Sequence, residues 1–147
     1  MTSAHNRVAV LHGVNLDALE RRPPEHYGGL SLMLLEQKIS RFAHELGLDV
    51  RFFQSNHEGE FVEELHRSSD YADGLILNPG AWTHYAWALR DAVEVAGLPA
   101  VEIHLSDPDN REEWRHLSVL ADVVVARVKG EGVDGYRTAL GHLKAAM

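Results

Sequence analysis

The segment VEIHLS, residues 101–106, sets Glu102 and His104 two positions apart. On a strand, both side chains then point to one face. A carboxylate beside an imidazole fixes the ring tautomer and supports its protonated form, which makes His104 a candidate general acid. The ordinary alternative is a structural histidine closing a strand. A little further on, REEWR carries Arg111 and Arg115 at i, i+4, a spacing that shares one face of a helical turn. Such a pair clamps a substrate oxygen or neutralises an anionic base; equally, it is a solvated face paired with Glu112 or Asp109. Asn78, in LNPG, offers a two-sided amide that either holds a hydroxyl or simply begins a turn. The stretch RRPPEHYGGLS, residues 21–31, has neither helical nor strand period, yet it sets Tyr27 near the cations Arg21 and Arg22.

These side chains need a frame. The apolar runs RVAVL (7–11), DVRFFQ (49–54), GLILN (74–78), PAVEIH (99–104) and VVVARV (123–128) read as strands. Ser31 caps a helix with Leu32, Leu35, Ile39, Phe42 and Leu46 at helical spacing, and Gly47 stops it. Further helices are expected over 60–71, from a cap at Thr83 to about Ala96, and over 134–146, with one or two turns over 110–117. This alternation predicts an α/β fold: a flavodoxin-like, doubly wound, five-stranded parallel sheet of order 2-1-3-4-5 in a three-layer sandwich. The irregular segment 12–30 stands out, because so long a connection inside a domain is functional or disordered. Ligands of such folds bind outside the carboxyl ends of the strands. That edge collects His12, Gly13 and Asn15, then Gln54, Ser55 and Asn56, then Asn78 and His84, and finally Glu102, His104, Leu105 and Ser106, with Arg111 and Arg115 beyond. SNHEG (55–59) reads as a loop entering a helix, and Trp82, Tyr85 and Trp87, residue types usual in a core or subunit interface, as interface candidates.

At 147 residues, with 45% hydrophobic and 24% charged side chains, one domain spanning 1–147 is expected. A net charge of −8 argues against nucleic-acid binding while leaving room for a small anion held by local arginines. With no cysteine, disulfides, thiol catalysis and cysteine-held metals are excluded. No apolar run is long enough for a membrane span, and MTSAHNRVAV lacks the order of a signal peptide, so a cytoplasmic protein is expected. Rival chemistries lack their motifs. There is no G-x-G-x-x-G after strand 1, no G-x-x-x-x-G-K-[ST] and no H-E-x-x-H. Lys38, Lys129 and Lys144 are not among the residues gathered at the ligand edge, which disfavours Schiff-base chemistry. Glu102 and His104 with His12 or His84 make only a remote metal set; no metal and no cofactor is the expectation.

Eight segments, in order, resemble one family. They are G-V-N-L (13–16), R-x-x-x-x-Y-G-G (22–29), F-x-Q-S-N-H-E-G (52–59), I-L-N-P-G-A-x-T-H (76–84), A-L-R-D-A (88–92), V-E-I-H-L-S (101–106), R-E-E-W-R (111–115) and G-x-x-G-Y (132–136). Each is weak alone; together they resemble the type II 3-dehydroquinate dehydratases. The resemblance implies a cofactor-free elimination of water from 3-dehydroquinate through an enolate, giving 3-dehydroshikimate, and a dodecamer built as a tetramer of trimers. It implies that Tyr27 is the base, Arg22 a lid arginine favouring its tyrosinate, Asn15 an enolate-stabilising amide, and His104 the acid supported by Glu102. Asn78, His84, Leu105, Ser106, Arg111 and Arg115 match substrate-holding positions, and Asp91 matches a residue reaching across a subunit boundary. Segment 17–30 would be the lid. A free tyrosine titrates near pH 10, so nearby guanidiniums are what would favour a phenolate. Val14, Asp17, Pro23, Asp107, Tyr85 and Trp87 depart from the family's usual residues. The alternative is a non-catalytic or altered-specificity paralog binding a related cyclic polyol carboxylate.

Overall fold

The computed structural model describes residues 5–147. Five parallel strands form one sheet: β1 (Arg7–His12), β2 (Asp49–Gln54), β3 (Gly74–Asn78), β4 (Ala100–His104) and β5 (Ala126–Lys129). Their order is β2-β1-β3-β4-β5, as the pattern of elements predicts. Side chains alternate across the sheet. Val8, Val10, Ile76, Val101 and Ile103 face one apolar layer with α2 (Leu32–Glu45) and α5 (Gly135–Ala146). Ala9, Leu11, Leu75, Leu77 and Ala100 face the other, with α3 (Glu58–Ser68) and α4 (Trp87–Ala96). Both sheet faces are thus covered, which is why the strand runs lack polar alternation.

Local chemistry explains most boundaries. Ser31 Oγ accepts from the Leu34 amide at 3.2 Å, the N-cap its position suggested, and Leu35, Ile39 and Phe42 bury the inner face of α2. Strand register then levels the functional tips: His12 lies opposite both Gln54 and Asn78, and Glu102 opposite Leu77 on one side and Arg127 on the other.

Several expectations need correction. Thr83 does not cap α4; residues Gly80–His84 form a 3-10 turn, the helix begins at Trp87, and Thr83 is buried. Trp82 is no interface residue, since it is buried edge-on against Phe61. β5 begins at Ala126 rather than Val123, because Val123 and Val124 pack into the α3–α4 layer outside the ladder. The one or two turns expected over 110–117 are a single 3-10 turn, Glu113–Arg115, with a second 3-10 turn, Pro108–Asn110, just before it. The segment read as irregular has structure of its own: a 3-10 turn over Leu16–Arg21 and α1 (Pro24–Tyr27).

Candidate active site

The carboxyl edge of the sheet carries a cavity of about 140 Å³. Its first wall is the chain leaving β1. The Gly13 amide donates to the Asn78 carbonyl at 2.7 Å, and a Cβ on Gly13 would lie 2.4 Å from the Pro79 carbonyl oxygen, so only glycine admits this approach. Asn15 takes the left-handed conformation, φ 70°, which asparagine tolerates better than most residues. Asn56 holds it there. Its Oδ1 accepts from the Asn15 amide at 2.8 Å, and its Nδ2 donates to Asp17 at 3.0 Å. SNHEG is therefore more than a helix entry: Asn56 bolts the start of the next segment to β2.

That segment delivers Tyr27. Pro24 sits in the first turn of α1, and the Pro23 carbonyl accepts from the amides of His26 and Tyr27 at 3.0 and 3.1 Å. Gly28, at φ 75°, ends the helix. The Tyr27 hydroxyl oxygen accepts from Arg22 Nη2 at 2.7 Å and from Arg111 Nη1 at 2.6 Å. The Arg22 guanidinium also lies over the ring, 4.3 Å from its centroid. Two cationic donors on one oxygen stabilise negative charge there. Arg111 reaches Ser106 Oγ as well, at 3.3 Å.

The second wall is β4. His104 Nε2 meets Glu102 Oε2 at 2.6 Å, and Glu102 is fully buried. Burial pushes the Glu102 carboxyl up. The hydrogen bond and charge of His104 and the hydroxyls of Thr83 and Ser118 more than offset this, bringing it down to about 2. Glu102 is thus an acceptor for Nε2–H, which leaves His104 Nδ1 as the ring nitrogen available to a ligand. The neighbouring His84 ring lies 6.5 Å from His104, near-parallel, with Trp114 edge-on. Burial lowers the pKa of His84 below its ordinary value, and His104 and Arg115 push the same way against the Leu117 carbonyl. Since that carbonyl only accepts, His84 Nδ1 donates to it at 2.7 Å and Nε2 remains an acceptor.

Among the sequence-predicted residues, Asn15, Arg22, Tyr27, Asn78, His84, His104, Leu105, Ser106, Arg111 and Arg115 all line this cavity, with Glu102 directly behind His104. Asn78 Oδ1 accepts from the Gly80 amide at 3.1 Å. Arg115 lines the cavity, stacks on Trp114 at 4.1 Å and makes the pairing with Glu112 that its spacing offered. Asp91 is exposed on α4 and does not line the cavity. Reasoning from the sequence missed Thr83 Oγ1 and Ser118 Oγ, which contact Glu102 at 2.5 and 2.7 Å, and Arg127 Nε, at 3.2 Å. Only the register of β4 with β5 would have flagged Arg127.

Fold and site together define a flavodoxin-like α/β protein with a polar, arginine-rich cavity on the carboxyl edge of its sheet. A family model described as dehydroquinase class II matches residues 6–144. The chain is 44% identical to 3-dehydroquinate dehydratase of Bacillus licheniformis over 92% of its length and 93% of the relative's. It is 48% identical to the same-named protein of Halothermothrix orenii over 92% and 91%. The crystal structure of type II dehydroquinase from Butyrivibrio crossotus superposes with a TM-score of 0.91 at 34% identity, covering 96% of this chain and 99% of that one. The corresponding structure from Propionibacterium acnes gives 0.88 at 36%, over 97% and 99%. The chain belongs to the class II dehydroquinase family.

Proposed function

We propose that this chain is a hydro-lyase that dehydrates 3-dehydroquinate to 3-dehydroshikimate, with Tyr27 as base and His104 as acid. The observation that carries the reading is the Tyr27 hydroxyl held by both Arg22 and Arg111 in the same cavity as the His104–Glu102 pair. Tyr27, as phenolate, takes the proton from C2, alpha to the ketone. The enolate charge falls on an oxygen near Asn15, whose amide stabilises it through water. His104 then passes the proton on Nδ1 to the C1 hydroxyl, which leaves as water as the enolate re-forms the ketone. Arg22, Arg111 and Arg115 make the cavity locally cationic in a chain of net charge −8, which suits a carboxylate substrate. Asn78, His84, Leu105 and Ser106, on the wall of the same cavity, hold the substrate.

In this reading the 147 residues act as one catalytic domain and segment 17–30 as its lid. A dodecamer, a tetramer of trimers, is part of the proposal. Tyr85 and Trp87, each 59% exposed, Val95 at 68% and Trp114 at 53% supply apolar surface for assembly, and Asp91, on α4 with Trp87 and Val95, would reach a neighbouring site. Light scattering tests the assembly; a stable monomer refutes it and the role of Asp91. The activity test is 3-dehydroquinate added to purified protein, with the conjugated enone product followed by absorbance. Tyr27→Phe is expected to abolish turnover with the fold intact. Full activity in that variant would exclude the tyrosinate.

A further inference from the structure

Glu102 receives four donors. His104 Nε2 and Thr83 Oγ1 share Oε2 at 2.6 and 2.5 Å; Ser118 Oγ and Arg127 Nε share Oε1 at 2.7 and 3.2 Å. The arrangement is built into the sheet, because β4–β5 register sets Arg127 opposite Glu102, on the same face. Two of these donors are neutral hydroxyls. Of the two that carry charge, His104 loses it during the proposed reaction, and Arg127 never does.

We infer that Arg127 is a positioning residue for the acid step, acting through Glu102: it keeps the buried carboxylate partnered after His104 gives up its proton. This inference rests on the dehydratase reading. In the step concerned, the Nδ1 proton of His104 goes to the departing hydroxyl oxygen. The C–O bond breaks with its electron pair on that oxygen, and water and a neutral imidazole result. Before the step, Glu102 faces an imidazolium and a guanidinium, and the cluster carries one positive charge. Afterwards it faces the guanidinium alone, and the cluster is neutral. Without Arg127 the same step would leave a fully buried anion with only neutral donors in contact, a costlier state than one that keeps a cation. Glu102 by itself orients His104 but also binds its proton; Arg127 offsets the second effect without disturbing the first. The other groups facing this cluster are the Thr83 and Ser118 hydroxyls and the His84 ring stacked on His104, with Arg115 acting on His84.

The test replaces Arg127 with Met, which keeps the alkyl stem, and with Lys, which keeps the charge. Thermal melting and light scattering check fold and assembly; should R127M fail to fold, R127Q takes its place. In the 3-dehydroquinate assay, R127M is expected to lower kcat about three- to tenfold with KM changed less than about twofold, because the acid releases its proton less readily. The high-pH limb of its kcat profile moves up by roughly half to one pH unit, since a lost cation lets the imidazolium persist. R127K recovers most of both. An R127M profile superimposable on the wild type overturns the inference, as does an R127K variant impaired equally and without a limb shift. NMR titration of His104 in wild type and R127M separates the inference from the dehydratase reading. An upward shift in R127M supports the inference even if no 3-dehydroquinate is consumed, and an unmoved midpoint sinks it even in an active enzyme.

Discussion

Replacing Glu102 with Gln puts an amide where the surrounding groups are all donors. Its oxygen satisfies one pair, and its –NH2 then opposes the other, either Thr83 with His104 or Ser118 with Arg127. The size of the effect follows from the carboxyl itself. Burial acts to raise it, yet its partners bring it from an ordinary 4.5 down to about 2. At ~1.4 kcal/mol per pH unit, that gap is worth about 3 kcal/mol of folding stability. Because the folded value lies below the unfolded one, this contribution is full above pH about 4.5 and is lost as pH falls toward 2. The assay is denaturant unfolding of wild type and E102Q at fixed protein concentration, from pH 7 down to pH about 2.5. E102Q is expected to be less stable by about 3 kcal/mol at pH 7, with the gap narrowing steadily in acid. Asp73, held near 2 chiefly by its hydrogen bond from Arg7, contributes to the same window in both proteins, so only the difference reports on Glu102. Parallel curves with a constant offset would show that Glu102 is not ionised as described, and the account of His104 orientation would fall with it.

Arg22→Met and Arg111→Met each remove one of the two cations on Tyr27. Each is expected to cut kcat about 10- to 100-fold by steady-state assay, with the double variant lower still; unchanged kcat in both singles would refute the shared role. Asn56→Ala frees the Asn15 amide and Asp17 together, costing about 1–2 kcal/mol in unfolding experiments and lowering kcat in the same preparation. Gly13→Ala forces a Cβ into the Pro79 carbonyl and should destabilise by at least ~2 kcal/mol; a neutral substitution would mean the β1 and β3 tips lie further apart than described. His84, lowered by burial, is expected to titrate in NMR below its ordinary 6.5, staying neutral at pH 7 and charging only in more acidic solution.

The sheet was legible because each strand is a short apolar run between turn residues, and right-handed crossovers between alternating strands and helices leave only a few strand orders. The cavity was legible for a related reason: Asn78, Glu102 and His104 sit at strand tips, where the fold class alone says a ligand binds. What escaped lies in contacts that no local period encodes. The helix α1 has four residues and none buried, so no apolar stripe announces it, and its prolines and glycines read as loop. Thr83 stands where a helix cap would stand, and only the intervening 3-10 turn redirects its hydroxyl to a carboxylate 19 residues on. Ser118 and Arg127 reach Glu102 from separate segments, through tertiary packing and strand register.

The two guanidiniums on Tyr27 come from different places in the chain. Arg22 belongs to the same short segment and travels with it, whereas Arg111 is anchored beyond β4 and waits at the body. Beside the packing of Leu19, Tyr27 and Leu30 on the core and the Asn56–Asp17 hydrogen bond, the phenol–Arg111 contact is a further tie between that segment and the rest of the protein. In the proposed lid, a charged phenol oxygen therefore meets one cation when the segment swings out and two when it is docked. Charging the oxygen then draws the segment in, and docking it favours the charge, each by the same free energy. A molecule that binds only the charged form would thereby favour the docked segment. One that inserted between Tyr27 and Arg111 would disarm the base and hold the entrance open in a single act.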